Sequence, residues 1–139
     1  MASHQTTLAF DTPGRGTCNI TEAVARAVQA SGIRTGVAHA FAQHTSCSLV
    51  ITENADPDVR RDLETVLGRT APDGDPAYRH DTEGPDDMAA HARSVLTGSS
   101  LSLPVGGGRL LLGTWQGVFL WEHRAGPQHR TVVVTVLGE

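Results

Sequence analysis

Three histidines stand at positions where a folded chain would carry chemistry. His44 follows an apolar stretch, His91 lies within a segment of helical periodicity, and His123 ends a second apolar stretch. Histidine titrates near neutral pH and is the commonest metal ligand in proteins. Together the three imidazoles predict a divalent-metal site, with zinc or magnesium, that supports hydrolytic or acid–base chemistry.

Asp87 strengthens the case for His91, because the two residues are four positions apart on one predicted helix. At that spacing a carboxylate can accept the imidazole N–H and fix its tautomer, and Asp87 is also a candidate catalytic base. Two simpler interpretations stay open. In the first, His91 is a core histidine whose hydrogen bonds are made within the protein. In the second, Asp87 stabilises the helix N-terminus through its interaction with the helix dipole.

Two further residues are candidates for catalysis. Cys47, three residues after His44, is a candidate nucleophile or ligand, although a thiol there is also typical of a small buried hydrophobe. Glu53 is a candidate base at the start of a turn rich in hydrogen-bond acceptors.

Four residues are candidates for substrate binding. Asn54 lies in the same turn as Glu53, and Gln116 interrupts an apolar stretch, where it needs either a ligand or a structural partner. Arg124 and Arg130 are candidates to hold an anionic substrate, although arginines beside carboxylates are commonly simple ion pairs.

The charged residues exclude several functions. All eleven basic residues are arginine, so lysine Schiff-base chemistry and a phosphate loop ending in Gly-Lys-Ser/Thr are excluded. Any phosphate must therefore be bound by arginine, backbone N–H groups or a metal. The net charge of −4 argues against nucleic acid and anionic membranes as partners.

The length of 139 residues predicts one domain, residues 1–139, with a core from about residue 6 to 138. The apolar runs are too short to span a bilayer. Because no secretion signal is visible at the N-terminus, we expect a cytoplasmic protein in which Cys18 and Cys47 are reduced thiols.

The hydrophobic pattern predicts three helices and mostly antiparallel strands, and therefore an α+β fold. Residues 36–44 and 47–53 are predicted to form a hairpin, and residues 109–121 one long strand buried on both faces. The third helix, residues 86–97, is predicted to bury the face that carries Met88, His91 and Val95. Residues 69–85 form a long surface loop, of a length typical of functional loops.

Several motifs resemble, in order, those of the YjbQ family. They are His44-Thr45-Ser46-Cys47-Ser48-Leu49, Glu53-Asn54-Ala55-Asp56-Pro57, His80-Asp81-Thr82-Glu83-Gly84, Ala90-His91, Gly113-Thr114-Trp115-Gln116-Gly117 and Glu122-His123-Arg124. The resemblance extends over nearly the whole chain, from about Thr6 to Glu139, and the Gly-Thr-Trp-Gln motif is its most specific part.

The resemblance implies a compact α+β domain that assembles as a homotrimer, with sites near the subunit interfaces. His44, His91 and His123 match the positions of the family's histidine cluster, which implies a metal or anion site. It also implies a secondary thiamine-phosphate synthase activity, in which a pyrimidine diphosphate is joined to a thiazole phosphate and pyrophosphate is released.

Three functions follow from these observations. The first is a metal-dependent enzyme acting on a small phosphorylated metabolite, either as a thiamine-phosphate synthase or as a phosphoester hydrolase. The second is a non-catalytic trimer that binds a metabolite or a metal. In the third, the histidines form only structural hydrogen bonds at a subunit interface.

Overall fold

A computed structural model describes residues 1–139 as eight strands and three helices. The strands are β1 (Ala2–Thr12), β2 (Gly16–Asn19), β3 (Gly36–Ala42), β4 (Cys47–Glu53), β5 (Ser100–Gly106), β6 (Arg109–Leu110), β7 (Gln116–Glu122) and β8 (Gln128–Gly138). The helices are α1 (Thr21–Ser31), α2 (Pro57–Thr70) and α3 (Asp87–Thr97). None of the three helices has the combination of length and apolar character needed to cross a membrane.

The strands form two antiparallel sheets. One has five strands in the order β1-β8-β3-β5-β6, and the other has three in the order β2-β7-β4. All recorded strand pairs are antiparallel, which confirms the predicted α+β fold with three helices.

The core is built from both sheets and α1. Along β8, Val132, Val134 and Val136 are fully buried while the residues between them are partly exposed, the period of two expected for a strand with one covered face. Val24 and Val28 of α1 belong to the same buried cluster. Burying each such side chain contributes about 1.5–3 kcal/mol relative to leaving it in water.

The predicted hairpin is wrong. β3 pairs with β5 and β8 in the five-stranded sheet, whereas β4 pairs with β7 in the three-stranded sheet. The short connection between them, residues 43–46, therefore carries the chain from one sheet to the other. This crossing places His44 and the Thr45 backbone beside α3.

The predicted long strand over residues 109–121 is also wrong. β6 ends at Leu110 and β7 begins only at Gln116, so Trp115 lies outside both strands and is 64% exposed. Gly113 N–H donates to the Gln116 side chain at 2.8 Å and closes a turn that the apolar pattern did not predict. Gln116 is exposed rather than buried.

The face of α3 that packs on the protein differs from the predicted one. Val95 is 85% exposed, while Asp87 and Arg93 are each 2% exposed. Ion pairs compensate for the burial of these charged residues. The buried face of α3 was therefore predicted wrongly from the pattern of polar and apolar residues. In the observed packing, His91 lies at the partly exposed rim of the helix, where a ligand can reach it.

Candidate metal centre

Four side chains bring their donor atoms together at the start of α3. His80 and Glu83 lie in the segment before the helix, and Asp87 and His91 lie one helical turn apart within it. One ligand atom from each lies within 4.8 Å of those of the other three. Asp87 Oδ2 is the central atom, 2.6 Å from His80 Nε2 and 3.0 Å from His91 Nε2.

The backbone fixes the tautomer of His91. Its Nδ1 lies 3.0 Å from the Thr45 carbonyl oxygen, which can only accept a hydrogen bond. Nδ1 therefore carries the proton, and in the neutral imidazole the Nε2 lone pair faces Asp87 Oδ2. Two acceptors at 3.0 Å need a positive charge between them, either a proton on Nε2 or a bound cation.

Asp87 is held in place by Arg124. Arg124 Nη1 lies 2.9 Å from Asp87 Oδ1, the oxygen that neither imidazole contacts. Burial raises the pKa of Asp87, but the hydrogen bond from His80 and the nearby positive charges outweigh it, so its pKa is below the usual range. The carboxylate is thus ionised at neutral pH and available as a ligand.

His80 faces two carboxylates. The hydrogen bond to Asp87 raises the pKa of His80, and the charge of Glu83 adds to the effect, with His80 Nε2 3.3 Å from Glu83 Oε2. The imidazoles of His80 and His91 are tilted against each other, with ring centroids 5.5 Å apart. His80 and Glu83 are exposed, so the cluster is open to solvent on this side.

The donor set suits a divalent metal. Two imidazole nitrogens and two carboxylate oxygens match the ligands of zinc and of the neighbouring transition metals, whereas magnesium prefers oxygen alone. The Thr45 carbonyl on His91 and the guanidinium on Asp87 are the outer partners that orient ligands at such sites. The four residues therefore suit a divalent metal in ligand type and in spacing.

His44 lies beside the cluster but outside it. It lines, with His91, Ser94 and Ser99, a depression of about 440 Å³. Its Nε2 accepts the Thr131 N–H at 2.8 Å, so that nitrogen is already used. Burial lowers the pKa of His44, and the imidazole is neutral above its ordinary titration range.

His123 is placed in the interior. It is fully buried, and its Nε2 lies 2.7 Å from the Ser48 hydroxyl oxygen, whereas Nδ1 has no partner. Burial lowers the pKa of His123 to about 3, so the ring is neutral. It does not belong to the cluster around Asp87.

Cys47 and Arg130 are also buried. Burial raises the pKa of the Cys47 thiol to about 11, so it is protonated at neutral pH, which favours a packing role over that of a nucleophile. Arg130 forms a buried ion pair with Glu122 and also donates to Ser46. Its guanidinium is therefore committed within the protein.

Glu53, Asn54 and Gln116 meet at a different turn. Glu53 Oε2 accepts the backbone N–H groups of Ala55 and Asp56, at 2.9 and 2.8 Å. Asn54 Nδ2 donates to the carbonyl oxygens of residues 114 and 116. These contacts support the turn after β4 and the turn before β7.

The sequence pattern indicated roles for Asp87, His91 and Arg124, which the structure brings together, but not for His80 or Glu83. The available signal was their position in the long loop, three residues apart and just before Asp86 and the helix that begins at Asp87. Only the path of that loop shows that they reach Asp87.

The chain is similar over almost its whole length to proteins of one family. A model of the UPF0047 YjbQ-like proteins matches residues 6–139. The UPF0047 protein sll1880 of Synechocystis sp. is 51% identical over 136 residues, which cover 98% of this chain and 92% of that protein. The UPF0047 protein YjbQ of Escherichia coli O157:H7 is 42% identical over 137 residues, which cover 98% of this chain and 99% of that protein.

Solved structures agree with this match. The conserved hypothetical protein TT1486 from Thermus thermophilus has a TM-score of 0.85 and 42% identity, covering 95% of this chain and 99% of that one. The YbjQ-like protein SSO2532 from Sulfolobus solfataricus P2 shares the fold, with a TM-score of 0.87 at 24% identity and coverage of 99% and 100%. The chain therefore belongs to the YjbQ-like UPF0047 family.

Proposed function

We propose that His80, Glu83, Asp87 and His91 hold a divalent metal, and that with it the protein acts on a small phosphorylated metabolite. The proposal is carried by four donor atoms that lie within 4.8 Å of one another, two of them the imidazole nitrogens that contact Asp87 Oδ2. It substitutes His80 and Glu83 for His44 and His123 in the ligand set, because Nε2 of each of the latter already contacts another group.

A bound divalent metal would polarise a phosphoryl oxygen or lower the pKa of a bound water. The chain's own residues would orient the reactants. Arg124 holds Asp87 through one oxygen and leaves the other for the metal side. The depression shared by His44 and His91 offers about 440 Å³ beside the cluster, within the range of small-molecule sites.

Two reactions fit this arrangement. One is phosphoester hydrolysis. The other, implied by the family resemblance, is thiamine-phosphate synthesis, in which pyrophosphate leaves the pyrimidine. In both, negative charge develops on phosphate oxygens. At this site Arg124 and Arg130 are engaged with carboxylates, so a bound metal would neutralise that charge.

The test compares metal content and turnover. Purified protein is stripped with EDTA, reloaded separately with zinc, manganese or magnesium, and measured by elemental analysis. We expect about one equivalent of zinc, lost in Asp87→Asn and His91→Ala but retained in His129→Ala, which removes an exposed imidazole outside the cluster. Turnover of a panel of phosphorylated substrates should follow the metal content. Full zinc content in both cluster variants would refute the site.

A non-catalytic metal-binding protein is the second candidate. It is favoured by the state of the expected catalytic groups, because Glu53 is bound to backbone N–H groups and the Cys47 thiol is protonated. Metal-loaded protein that turns over no phosphorylated substrate, while still binding zinc through Asp87, would support this function over the first.

We also propose that the protein assembles as a homotrimer, as the resemblance implies. Val95 and Leu96 are 85% and 60% exposed on α3, and Val95 lines the depression with His44 and His91. Apolar side chains beside a candidate site are suited to a subunit interface.

Light scattering should give a mass of three times 14.7 kDa, and Val95→Glu should lower that mass. The matched control is Val66→Glu on α2, where the side chain is 55% exposed.

A further inference from the structure

A second concave site lies between α1 and the hairpin formed by β5 and β6. Its volume is about 600 Å³, larger than the depression lined by His44 and His91 and within the usual range for small ligands. The two share no lining residue. The metal-dependent function proposed above therefore makes no use of it.

Two arginines line the groove of this acidic protein. Its eleven lining residues include Arg34 and Arg109 but no aspartate or glutamate, although the chain carries a net charge of −4. The ion pairs of the protein use other arginines, namely Arg15, Arg26, Arg61, Arg93, Arg124 and Arg130. The guanidinium groups of Arg34 and Arg109 are free for a ligand.

The fold places these two arginines at the same groove. Gly107 and Gly108, with φ of 57° and 75°, form the two-residue turn that joins β5 to β6, and left-handed φ values at both positions favour glycine. Gly108 N–H donates to the Arg34 carbonyl oxygen at 3.0 Å. This bond ties the hairpin turn, and with it Arg109, to the segment that carries Arg34.

The rest of the groove is partly apolar. Leu110 and Leu112 line it from the hairpin side, and Ala25 and Ile33 line it from the side of α1. Leu110 and Leu112 are partly exposed and also pack against the hydrophobic core, so they form a firm apolar surface. A ligand that covered them would gain stabilisation from the apolar area it buries.

We propose that this groove binds a small organic phosphate, with the phosphate group contacting Arg34 and Arg109 and the organic part covering Leu110 and Leu112. The planar guanidinium presents its donors in a fork that matches phosphate oxygens, and two such groups balance a dianion. The proposal is independent of the metal centre, because no residue of the groove belongs to the cluster.

The test is a titration of the full-length protein followed by backbone amide NMR, with phenyl phosphate, inorganic phosphate and phenol as probes. We expect phenyl phosphate to shift the amide signals of Gly107 and Gly108 saturably, with at least tenfold tighter binding than either of the other probes. If inorganic phosphate binds as tightly as phenyl phosphate, Leu110 and Leu112 do not contribute to binding and the proposal is wrong in that part. If phenol binds as tightly, Arg34 and Arg109 do not contribute and the phosphate contact is wrong.

Variants separate the groove from the metal centre. Arg34→Gln with Arg109→Gln should weaken phenyl phosphate at least tenfold, whereas Arg69→Gln removes an exposed arginine outside the groove and should leave its affinity unchanged. Asp87→Asn should also leave it unchanged, even though it disrupts the proposed metal site. The proposal fails if the double variant binds as tightly as the unmodified protein, or if the shifts centre on His91.

Discussion

Arg124 Nη1 lies 2.9 Å from Asp87 Oδ1, so the guanidinium holds one carboxylate oxygen while the two imidazoles contact the other. Arg124 also lies 2.9 Å from Asp86 Oδ2 through Nε, and its Nη2 donates to the Glu83 carbonyl oxygen. One side chain therefore links three residues of the candidate metal-binding segment, Glu83, Asp86 and Asp87. Arg124 is therefore a positioning residue for the cluster, since all three of its guanidinium nitrogens contact the protein.

Replacing Arg124 should weaken metal binding without removing a ligand. Loss of an outer partner at a metal site typically costs about 10–100-fold in affinity, and we expect a decrease of that size in Arg124→Gln. Zinc affinity is measured by competition with a chromophoric chelator. Arg61→Gln, which removes an exposed arginine paired with Asp58, is the control. Unchanged zinc affinity in Arg124→Gln would show that the Arg124 guanidinium does not orient Asp87 for metal binding.

His123 should make the protein sensitive to acid. Its pKa is about 3 in the folded protein because the ring is buried, and about 6.5 in an unfolded chain. Between these values the unfolded state binds one more proton, so the free energy of unfolding decreases as the pH falls from about 6.5, by at most about 1.4 kcal/mol per pH unit.

Urea unfolding at several pH values measures this slope. In His123→Gln the decrease between about pH 6.5 and about pH 4 should be shallower, whatever the absolute stability of the variant. His129→Gln, at an exposed position, should retain the original slope. If the free energy of unfolding falls equally steeply with pH in His123→Gln and in the unmodified protein, His123 is not the source of the acid sensitivity.

The buried pair of Glu122 and Arg130 should be costly to break. Glu122 is fully buried and Arg130 is 5% exposed, so Glu122→Gln leaves a guanidinium charge without its counterion. We expect a loss of about 3–5 kcal/mol in the free energy of unfolding. Glu22→Gln breaks an exposed pair with Arg26 and should cost no more than about 0.5 kcal/mol. Similar losses in the two variants would contradict the importance of burial.

The two cysteines should differ in reactivity. Cys47 is fully buried, which raises its pKa to about 11, whereas Cys18 is partly exposed to solvent. Native protein treated with a thiol reagent should therefore be modified first at Cys18. The Cys18→Ser variant should react only after unfolding. Rapid modification of that variant under native conditions would show that Cys47 is accessible.

The local part of the structure could be predicted from the sequence. Asp56 followed by Pro57 signals a helix start, and the Asp56 side chain does accept the Asp58 N–H at 2.9 Å at the beginning of α2. The four-residue spacing of Asp87 and His91 likewise predicted a contact that the structure contains. Both depend on neighbours within one helical turn, which is why the pattern sufficed.

The non-local part could not be predicted. β3 and β4 have the alternation and the short connection of a hairpin, and only the pairing partners β8 and β7 distinguish two sheets from one. His80 reaches Asp87 because of the path of the loop before α3, which no periodicity records. Arg93 is buried because Glu64 neutralises it, so its polarity predicted the wrong face of the helix.

All four donors of the candidate centre come from one continuous stretch, His80 to His91. Because the segment is short, bringing its four donor groups together costs less chain entropy than building a site from residues on separate strands. A peptide of this stretch, or its graft onto an unrelated helix, would retain the coordinating groups. It would lack the Thr45 carbonyl and the Arg124 guanidinium that orient them.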